Sequence, residues 1–229
     1  MAINAGPKIV EDGLVFCVDA ANKKSYPGAG TTWTDLTANK NNSTLINGAA
    51  FDSADRGSIA LDGTDDRVDA TTLDDINFHS NPATVNVWVY LKSTSSNQYF
   101  FNKHDSGNSN FRFYGWIYNS AVEFVLLSAG DGARQRYNGL PNQIVNKWTH
   151  LAFVSTGPDF TSVSNLSLYV DGVLQTPTSS VNGGSSSNDS TGILTIGGRY
   201  YDNNRNMSAN FAIFQVYNRA LSSAEILQN

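Results

Sequence analysis

The feature that most constrains the fold is a pair of strand-like segments between residues 147 and 175. The first, residues 148–154, is rich in aromatic and β-branched residues and contains neither glycine nor proline, which is typical of a buried strand. The second, residues 166–171, alternates apolar and polar side chains, so one of its faces belongs to a core. Asp171-Gly172 then favours a tight turn. These segments predict a central antiparallel pair of strands.

The same signals recur along the chain and leave little room for helices. Strand patterns separated by turn residues cover 14–19, 43–46, 58–61, 67–70, 83–91, 99–103, 110–118, 121–128, 133–137, 192–197 and 211–217. Residues 179–190 are rich in Ser, Gly and Asn and predict a flexible surface loop. Ser222 is expected to cap a single helical turn. Many short strands with almost no helix predict an all-β fold of two packed sheets.

Composition narrows the class of protein. Of the 229 residues, 40% are hydrophobic, which is enough for a sizeable core. Only 15% are charged, which suits a surface of many turns. The net charge of −5 and the lack of a basic cluster argue against nucleic-acid binding. There is no signal-peptide pattern and no apolar run of about 18 residues that a membrane helix needs. The single cysteine, Cys17, is expected to be a buried hydrophobe in a protein made in a reducing cytoplasm.

Four groups of motifs, in a fixed order, resemble a known family. They are residues 33–36 with 42–48, residues 62–68, Trp148-Thr149-His150-Leu151-Ala152-Phe153 with residues 168–172, and residues 216–222 with 225–226. Together they resemble the laminin-G-like domains of the concanavalin A-like lectin/glucanase class. The resemblance covers residues 13–229. It implies an antiparallel two-sheet jelly-roll sandwich with a short C-terminal helical turn, and it leaves residues 1–12 as an N-terminal arm.

The first candidate site is an acidic turn that contains Asp62, Asp65 and Asp66. Clustered carboxylates repel one another unless a cation or hydrogen bonds neutralise them, and Ca²⁺ prefers six to eight oxygen ligands. The resembled family often holds a calcium ion at the rim of the sandwich, which implies a Ca²⁺ site here. The alternative is an ordinary turn in which the Asp side chains accept backbone N–H groups.

The second candidate is an aromatic stripe. Arg112, Tyr114, Trp116 and Tyr118 alternate with apolar residues, so all four are expected to share one face of a sheet. Sugars stack their C–H faces on aromatic rings, and the stripe is therefore a candidate carbohydrate platform. The alternative is that this face is covered by loops, because Tyr and Trp tolerate half-buried positions.

The third candidate is the polar loop 199–206, in which Tyr201, Asp202 and Asn204 combine an aromatic ring, a carboxylate and an amide. Such loops suit polar ligands, and family members bind ligands through rim loops, which implies a second part of a carbohydrate site. A solvated loop or a protein contact are the alternatives. His150 is expected to be packed and hydrogen-bonded, while His79 and His104 lack the spacing of metal ligands.

The glutamates argue against catalysis. Glycoside hydrolases need two carboxylates that flank the scissile bond, and in the resembled glucanases these alternate on one strand. The chain has only Glu11, Glu123 and Glu225, and none has a nearby acidic partner on a strand. We therefore expect a protein that is not an enzyme.

The expected function combines recognition with display. A disulfide-free domain without a signal, if complete from Met1, fits a phage virion protein that folds in the host cytoplasm and works on the virion surface. The arm of residues 1–12 would dock on capsid or tail proteins, surface glycans would be ligands, and self-association is a further option. The alternatives are a free-standing lectin-like carbohydrate-binding module and a glycoside hydrolase.

Overall fold

Two antiparallel sheets packed face to face form the body of the protein. The structure, a computed structural model, describes residues 8–70, 73, 81–94, 97–104, 112–128, 131–157, 162–183, 192–200 and 205–229. Within these residues the chain forms strands β1 (Leu14–Asp19), β2 (Thr32–Trp33), β3 (Ser43–Ile46), β4 (Ala50–Asp52), β5 (Ser58–Asp62), β6 (Arg67–Asp69), β7 (Ala83–Leu91), β8 (Gln98–His104), β9 (Arg112–Tyr118), β10 (Ala121–Ser128) and β11 (Asp131–Asn138). Helix α1 (Leu140–Ile144) precedes β12 (Trp148–Ser155), β13 (Leu166–Val170), β14 (Val173–Leu174), β15 (Ser179–Val181), β16 (Leu194–Ile196), β17 (Ser208–Tyr217) and helix α2 (Ser223–Gln228).

The strands form one sheet of eight and one of nine. The first sheet has the order β14-β13-β12-β7-β17-β5-β4, with β1 also paired to β17. The second sheet has the order β15-β11-β10-β9-β8-β16-β6-β3-β2, so β8 to β11 form a meander. This confirms the predicted all-β antiparallel two-sheet sandwich with a short C-terminal helix. No helix in the described part of the chain is long and apolar enough to cross a membrane.

Strand β7 is the centre of the eight-stranded sheet because β12 pairs with one side of it and β17 with the other. Its Val85, Val87 and Val89 side chains are buried in the main core, as their alternation predicts. The predicted hairpin of β12 and β13 is present, but it lies towards one edge, where only the two-residue β14 follows. The expectation that this hairpin is central was therefore wrong, because sheet order is set by long-range pairing that local patterns do not encode.

The core between the sheets is rich in phenylalanine rings. Phe153, from the first sheet, lies 5.1 Å from the ring of Phe101 and 5.3 Å from that of Phe124, which both belong to the second sheet. Gly115 makes room for this contact, since a Cβ atom there would lie 2.7 Å from Cε1 of Phe153. A glycine inside a strand is therefore explained here by close packing across the sandwich.

A smaller core covers part of the outer face of the eight-stranded sheet. Helix α2 and the segment 8–12 pack there on Ala152, Val154 and Tyr217. The hydroxyl of Tyr217 donates to the carbonyl of Val10 at 2.9 Å. Ser222 caps α2, as predicted, and completes a capping box. The predicted arm of residues 1–12 is thus described only from residue 8, and residues 8–12 contact the sandwich.

Two local predictions need correction. Residues 179–190 were expected to form a loop, but Ser179–Val181 is strand β15 at the edge of the second sheet, paired with β11. This serine-rich strand is held by backbone hydrogen bonds and shows no hydrophobic alternation. Helix α1 was not anticipated, since its five residues bury Leu140, Pro141 and Ile144 in a span too short for a helical period to emerge.

Cys17 is buried, with 4% of its surface exposed, as its apolar surroundings predict. Its sulfur accepts a long contact of 4.0 Å from Nε2 of Gln215. Burial raises the pKa of the thiol to about 12. Cys17 therefore acts as a packing residue rather than a nucleophile.

Candidate functional site

The aromatic stripe lies on the outer face of the nine-stranded sheet. Tyr114, Trp116 and Tyr118 project from β9 on this face, whereas Phe113 and Ile117 enter the main core. The predicted sharing of one face is confirmed for these three residues. Their binding of carbohydrate stays a prediction.

Pairing of β9 with β8 adds a fourth ring to the stripe. Tyr99 of β8 lies opposite Trp116, and their stacked rings are 5.2 Å apart. Tyr118 stacks on Trp116 at 4.5 Å, and Tyr114 meets both Tyr99 and Trp116 edge to face. Tyr114 and Trp116 are each only 9% exposed, whereas Tyr118 is half-buried. Of the three predicted stacking residues, Tyr118 therefore offers the most accessible ring.

A buried carboxylate anchors this cluster from the next strand. Glu123 of β10 lies opposite Trp116, and its Oε2 accepts the indole N–H at 3.0 Å. Its Oε1 forms an ion pair with Nη1 of Arg136 at 2.5 Å. Arg136 also donates to the carbonyl of Asn119, in the turn after Tyr118, at 2.9 Å. The network fixes the indole and the turn, which makes the cluster rigid.

The three regions that the sequence presents separately meet at one place. Arg205 lies over the ring of Trp116 at 5.7 Å and donates to the hydroxyl of Tyr99 at 3.2 Å. The next residue, Asn206, donates to the carbonyl of Thr64 in the acidic turn at 2.9 Å. Arg205 and Asn206, at the end of the predicted loop 199–206, thus connect the stripe to the acidic turn. The predicted ligand residues of this loop lie outside the described residues: Tyr201, Asp202 and Asn204.

The acidic turn joins β5 to β6 at the rim. Asp62, Asp65 and Asp66 each place a carboxylate oxygen within 4.8 Å of the others. Asp66 accepts the backbone N–H groups of Gly48 at 2.6 Å and of Asp62 at 3.0 Å, and burial raises its pKa. Asp62 accepts the N–H of Thr64 at 2.7 Å, which lowers its pKa.

These contacts bear on both interpretations of the turn. The bond from the N–H of Thr64 to Asp62 is that of an ordinary Asx turn, and the two bonds to Asp66 tie the end of the turn to its start and to Gly48. The converging oxygens of the three carboxylates also fit a hard cation, because each retains a free lone pair. The carbonyls of Thr64 and Asp65 already accept side-chain amides, so a bound Ca²⁺ would need water for most of its remaining ligands. The calcium site stays a prediction.

His150 is packed, but not fully hydrogen-bonded. Its ring stacks on Trp88 at 5.3 Å, on the outer face of the eight-stranded sheet. Its Nε2 is buried without a hydrogen-bond partner among the described residues, so the expected hydrogen bonding of the ring is not seen at this nitrogen. Burial lowers the pKa of His150 to about 4, so the imidazole is neutral at neutral pH.

Sequence reasoning missed several members of the aromatic cluster. Tyr99, Glu123, Arg136 and Arg205 come from other strands and a loop, and only the register of the sheet brings them to Trp116. The alternation of β10 could have placed Glu123 on the outer face, since Val122 and Phe124 enter the core. Arg205 lies within the predicted loop 199–206, but nothing in that loop indicated its contact with Trp116.

Comparison with solved structures agrees on the fold at low sequence identity. Domain 4 of AbnA, a GH43 extracellular arabinanase from Geobacillus stearothermophilus in complex with arabinotriose, shares 16% identity with a TM-score of 0.64 over 95% of this chain and 98% of that chain. Trypanosoma rangeli sialidase in complex with 2,3-difluoro-KDN shares 16% identity with a TM-score of 0.67 over 99% of this chain but only 35% of the sialidase. The botulinum neurotoxin serotype D binding domain shares 14% identity with a TM-score of 0.64 over 94% of this chain and 51% of that domain.

The family itself is identified from the sequence. No curated protein sequence matches the chain. A family model described as the concanavalin A-like lectin/glucanases superfamily matches residues 62–227, which is well over half of the chain. That range runs from the acidic turn, through the aromatic cluster, to α2, and the observed sandwich has the architecture that the sequence resemblance implied. The chain belongs to the concanavalin A-like lectin/glucanase superfamily.

Proposed function

We propose that the protein is a carbohydrate-binding domain without catalytic activity and that it binds sugar on the outer face of the nine-stranded sheet. The observation that carries the proposal is the stacked cluster that ends at Tyr118. Among the described residues, Trp116 is the only ring that stacks on Tyr118. A sugar ring would extend this stack by one layer, on a half-buried side chain whose position is already fixed.

Rigidity matters because binding must offset the entropy of ordering side chains at the site. Tyr118 is backed by Trp116, which is itself held by Tyr99 and by the carboxylate of Glu123. The platform therefore loses little freedom when a ligand binds. Arg136 and Asn119 lie at the same end of the cluster and supply hydrogen-bonding groups for sugar hydroxyls.

The two acidic residues that strands β10 and β6 contribute next to the cluster, Glu123 and Asp69, support binding without hydrolysis. Glu123 is buried, and both of its oxygens are already engaged, by Trp116 and by Arg136. Asp69 forms an ion pair with Arg67 on β6. Strand β6 lies four positions from β10 in the sheet, which separates the two strands by about 19 Å at the usual strand spacing. Hydrolysis of a glycosidic bond requires two carboxylates about 5–9.5 Å apart. Glu123 and Asp69 do not meet that requirement.

The test is binding to an array of neutral and acidic glycans, followed by calorimetric titration with the strongest hit. We expect Tyr118→Ala to weaken binding by about tenfold, because the loss of one stacked ring corresponds to about 1.4 kcal/mol, while Tyr118→Phe retains most of the affinity. Equal affinities for wild type and Tyr118→Ala would refute the assignment of this face. Release of reducing sugar from any polysaccharide, abolished by changing one acidic residue, would refute the absence of catalysis.

The virion role is the finer part of the proposal. It is supported by the lack of any disulfide, since Cys17 is the only cysteine, so the domain can fold in a reducing host cytoplasm. Residues 8–12 are held by the sandwich, which leaves residues 1–7 as the segment that would reach a capsid or tail protein. The short edge strand β14, with Val173 and Leu174 both more than half exposed, is a candidate surface for self-association.

The docking role is tested by deleting residues 2–7 and keeping residues 8–12. We expect the shortened protein to fold and to bind glycans, but to be lost from purified particles. Incorporation into particles at the wild-type level would contradict docking through this segment. Val173→Lys tests the β14 edge separately, because it should reduce self-association while incorporation through the N-terminal segment stays at the wild-type level.

A further inference from the structure

Among the described residues, one hydrophobic cluster covers part of the outer face of the eight-stranded sheet. Helix α2 and residues 8–12 pack over Ala152, Val154 and Tyr217 in the smaller core. Another part of the face carries Trp88 and Trp148, which are half-buried and belong to no hydrophobic cluster. The other two tryptophans, Trp33 and Trp116, are fully buried and nine-tenths buried, respectively. The accessible indoles of this protein therefore lie on the face opposite the aromatic stripe.

Two hollows adjoin at these indoles and form what we call the tryptophan groove. One, of about 410 Å³, lies between Trp88, Trp148 and the turn that contains Asp55 and Arg56. The other, of about 360 Å³, lies between the same tryptophans and Leu227 of α2. Each volume falls in the range of known small-ligand sites, which is about 300–1,000 Å³.

The indoles are held in place by their neighbours. Trp88 stacks on His150 with an angle of 23° between the rings, and Tyr90 meets Trp148 edge to face at 5.8 Å. The N–H of Trp148 donates to Oδ2 of Asp55 at 2.9 Å. Two fixed, half-buried indoles offer a platform for the C–H face of a sugar ring, as proposed for Tyr118 on the other face.

The turn that fixes Trp148 is conformationally strained. Asp55 has φ of 51° and Arg56 has φ of 78°, so two consecutive residues other than glycine occupy the left-handed region. Each such residue costs about 1 kcal/mol or more, and strain of this kind concentrates at ligand sites. The strained backbone holds the Asp55 carboxylate against the indole and places Arg56 at the rim of the groove.

The polar groups select the charge of the ligand. Three carboxylates line the groove, from Asp19, Asp55 and Asp171, against the single guanidinium of Arg56 among the described lining residues. His150 adds no charge, because it is neutral at neutral pH, and its Nε2 has no partner among the described residues. The three carboxylates would repel an anionic sugar, whereas the hydroxyls of a neutral sugar can donate to these carboxylates and to the imidazole of His150.

We propose that the tryptophan groove is a second carbohydrate-binding subsite, on the face opposite Tyr118, and that it takes neutral rather than acidic sugars. This subsite rests on the proposed function for its ligand class, but it shares no residue with the site at Tyr118. Either site can therefore be refuted without the other. The protein would then contact glycan on both faces of the sandwich, which suits a chain that binds a branched or crowded surface polysaccharide.

The four tryptophans provide the test, because each gives one indole N–H signal in a ¹H–¹⁵N spectrum of the full chain. The probes are arabinotriose, maltotriose, cellotriose and sialyllactose, titrated to millimolar concentration. We expect at least one neutral trisaccharide to shift the Trp88 and Trp148 signals, and sialyllactose to leave them unchanged. Shifts confined to Trp116 would support the proposed function alone and overturn the second subsite. No shift of Trp88 or Trp148 with any neutral probe would overturn it as well.

Variants then separate the two faces. The neutral sugar that shifts the Trp88 signal of the wild type should bind Trp88→Ala about tenfold more weakly. The affinity of Trp88→Phe should lie between those of Trp88→Ala and wild type. Tyr118→Ala is the matched control on the opposite face and should leave the Trp88 shifts intact. If Trp88→Ala instead abolishes self-association in sedimentation experiments and no sugar shifts the indoles, the groove is a contact between copies of the chain and the proposal is wrong.

Discussion

The close packing of the two sheets at Gly115 can be tested by adding one methyl group, with the substitution Gly115→Ala. In an ordinary strand, replacing Gly with Ala stabilises the protein by about 0.5–1 kcal/mol, because the unfolded chain loses freedom. Here a Cβ atom would lie 2.7 Å from Cε1 of Phe153 and 2.9 Å from Cε1 of Phe101. Both rings are fully buried and in contact with each other, so neither can move freely. We therefore expect Gly115→Ala to destabilise the protein by about 1–3 kcal/mol, the usual range for overpacking.

The assay is urea unfolding followed by tryptophan fluorescence, with melting temperature as a second measure, at about 2–4 °C per kcal/mol for a chain of this length. Phe153→Leu provides the control. Alone it should destabilise by about 1–2 kcal/mol through lost packing, but combined with Gly115→Ala it should relieve the clash, so the double variant is more stable than the sum of the singles. Stabilisation by Gly115→Ala, or strict additivity with Phe153→Leu, would refute the close approach of the two sheets at this point.

Three further predictions concern the chain ends and the acidic turn. Arg219 and Ser222 lower the pKa of Glu225 to about 2, so the ionised carboxylate contributes about 1 kcal/mol to the free energy of unfolding above pH 4.5, and this contribution is lost as the pH falls towards 2. Wild type and Glu225→Gln should therefore differ in urea midpoint at pH 7 and converge at pH 2. A difference that does not change with pH would contradict this. Millimolar Ca²⁺ should raise the melting temperature relative to EDTA in wild type but not in Asp65→Asn, and equal temperatures in both buffers would exclude the ion. Deleting residues 2–7 should leave the urea midpoint unchanged, whereas deleting residues 2–12 should lower it by exposing the hydroxyl and ring of Tyr217; a stable longer deletion would show that residues 8–12 contribute nothing.

The alternation of single strands could be read from the sequence, but the pairing of strands could not. The faces of β7 and β9 follow directly from Val85, Val87 and Val89 and from the stripe that ends at Tyr118. Tyr99 and Glu123 reach Trp116 through the registers of two neighbouring strands. Such registers depend on long-range contacts, so the aromatic cluster was seen only in part.

The tryptophan groove shows the same limit more clearly. Trp148 and His150 are two residues apart on β12, so the alternation of a strand places both on one face, and both lie there. Their partner Asp55 is 93 residues earlier in the chain and reaches Trp148 through a turn with left-handed residues other than glycine. A left-handed Asp followed by a left-handed Arg has no sequence signature. Strand β15 was missed for a different reason, since Ser179 and Ser180 pair through their backbones alone.

The buried state of Cys17 makes the chain convenient for single-site labelling. Burial raises the pKa of the thiol to about 12, so it is protonated at pH 7, and the side chain is shielded from reagents. A cysteine introduced at an exposed position would thus react with a maleimide dye without removal of the native one. Fluorophores attached near each face could then report which side of the domain approaches a polysaccharide first.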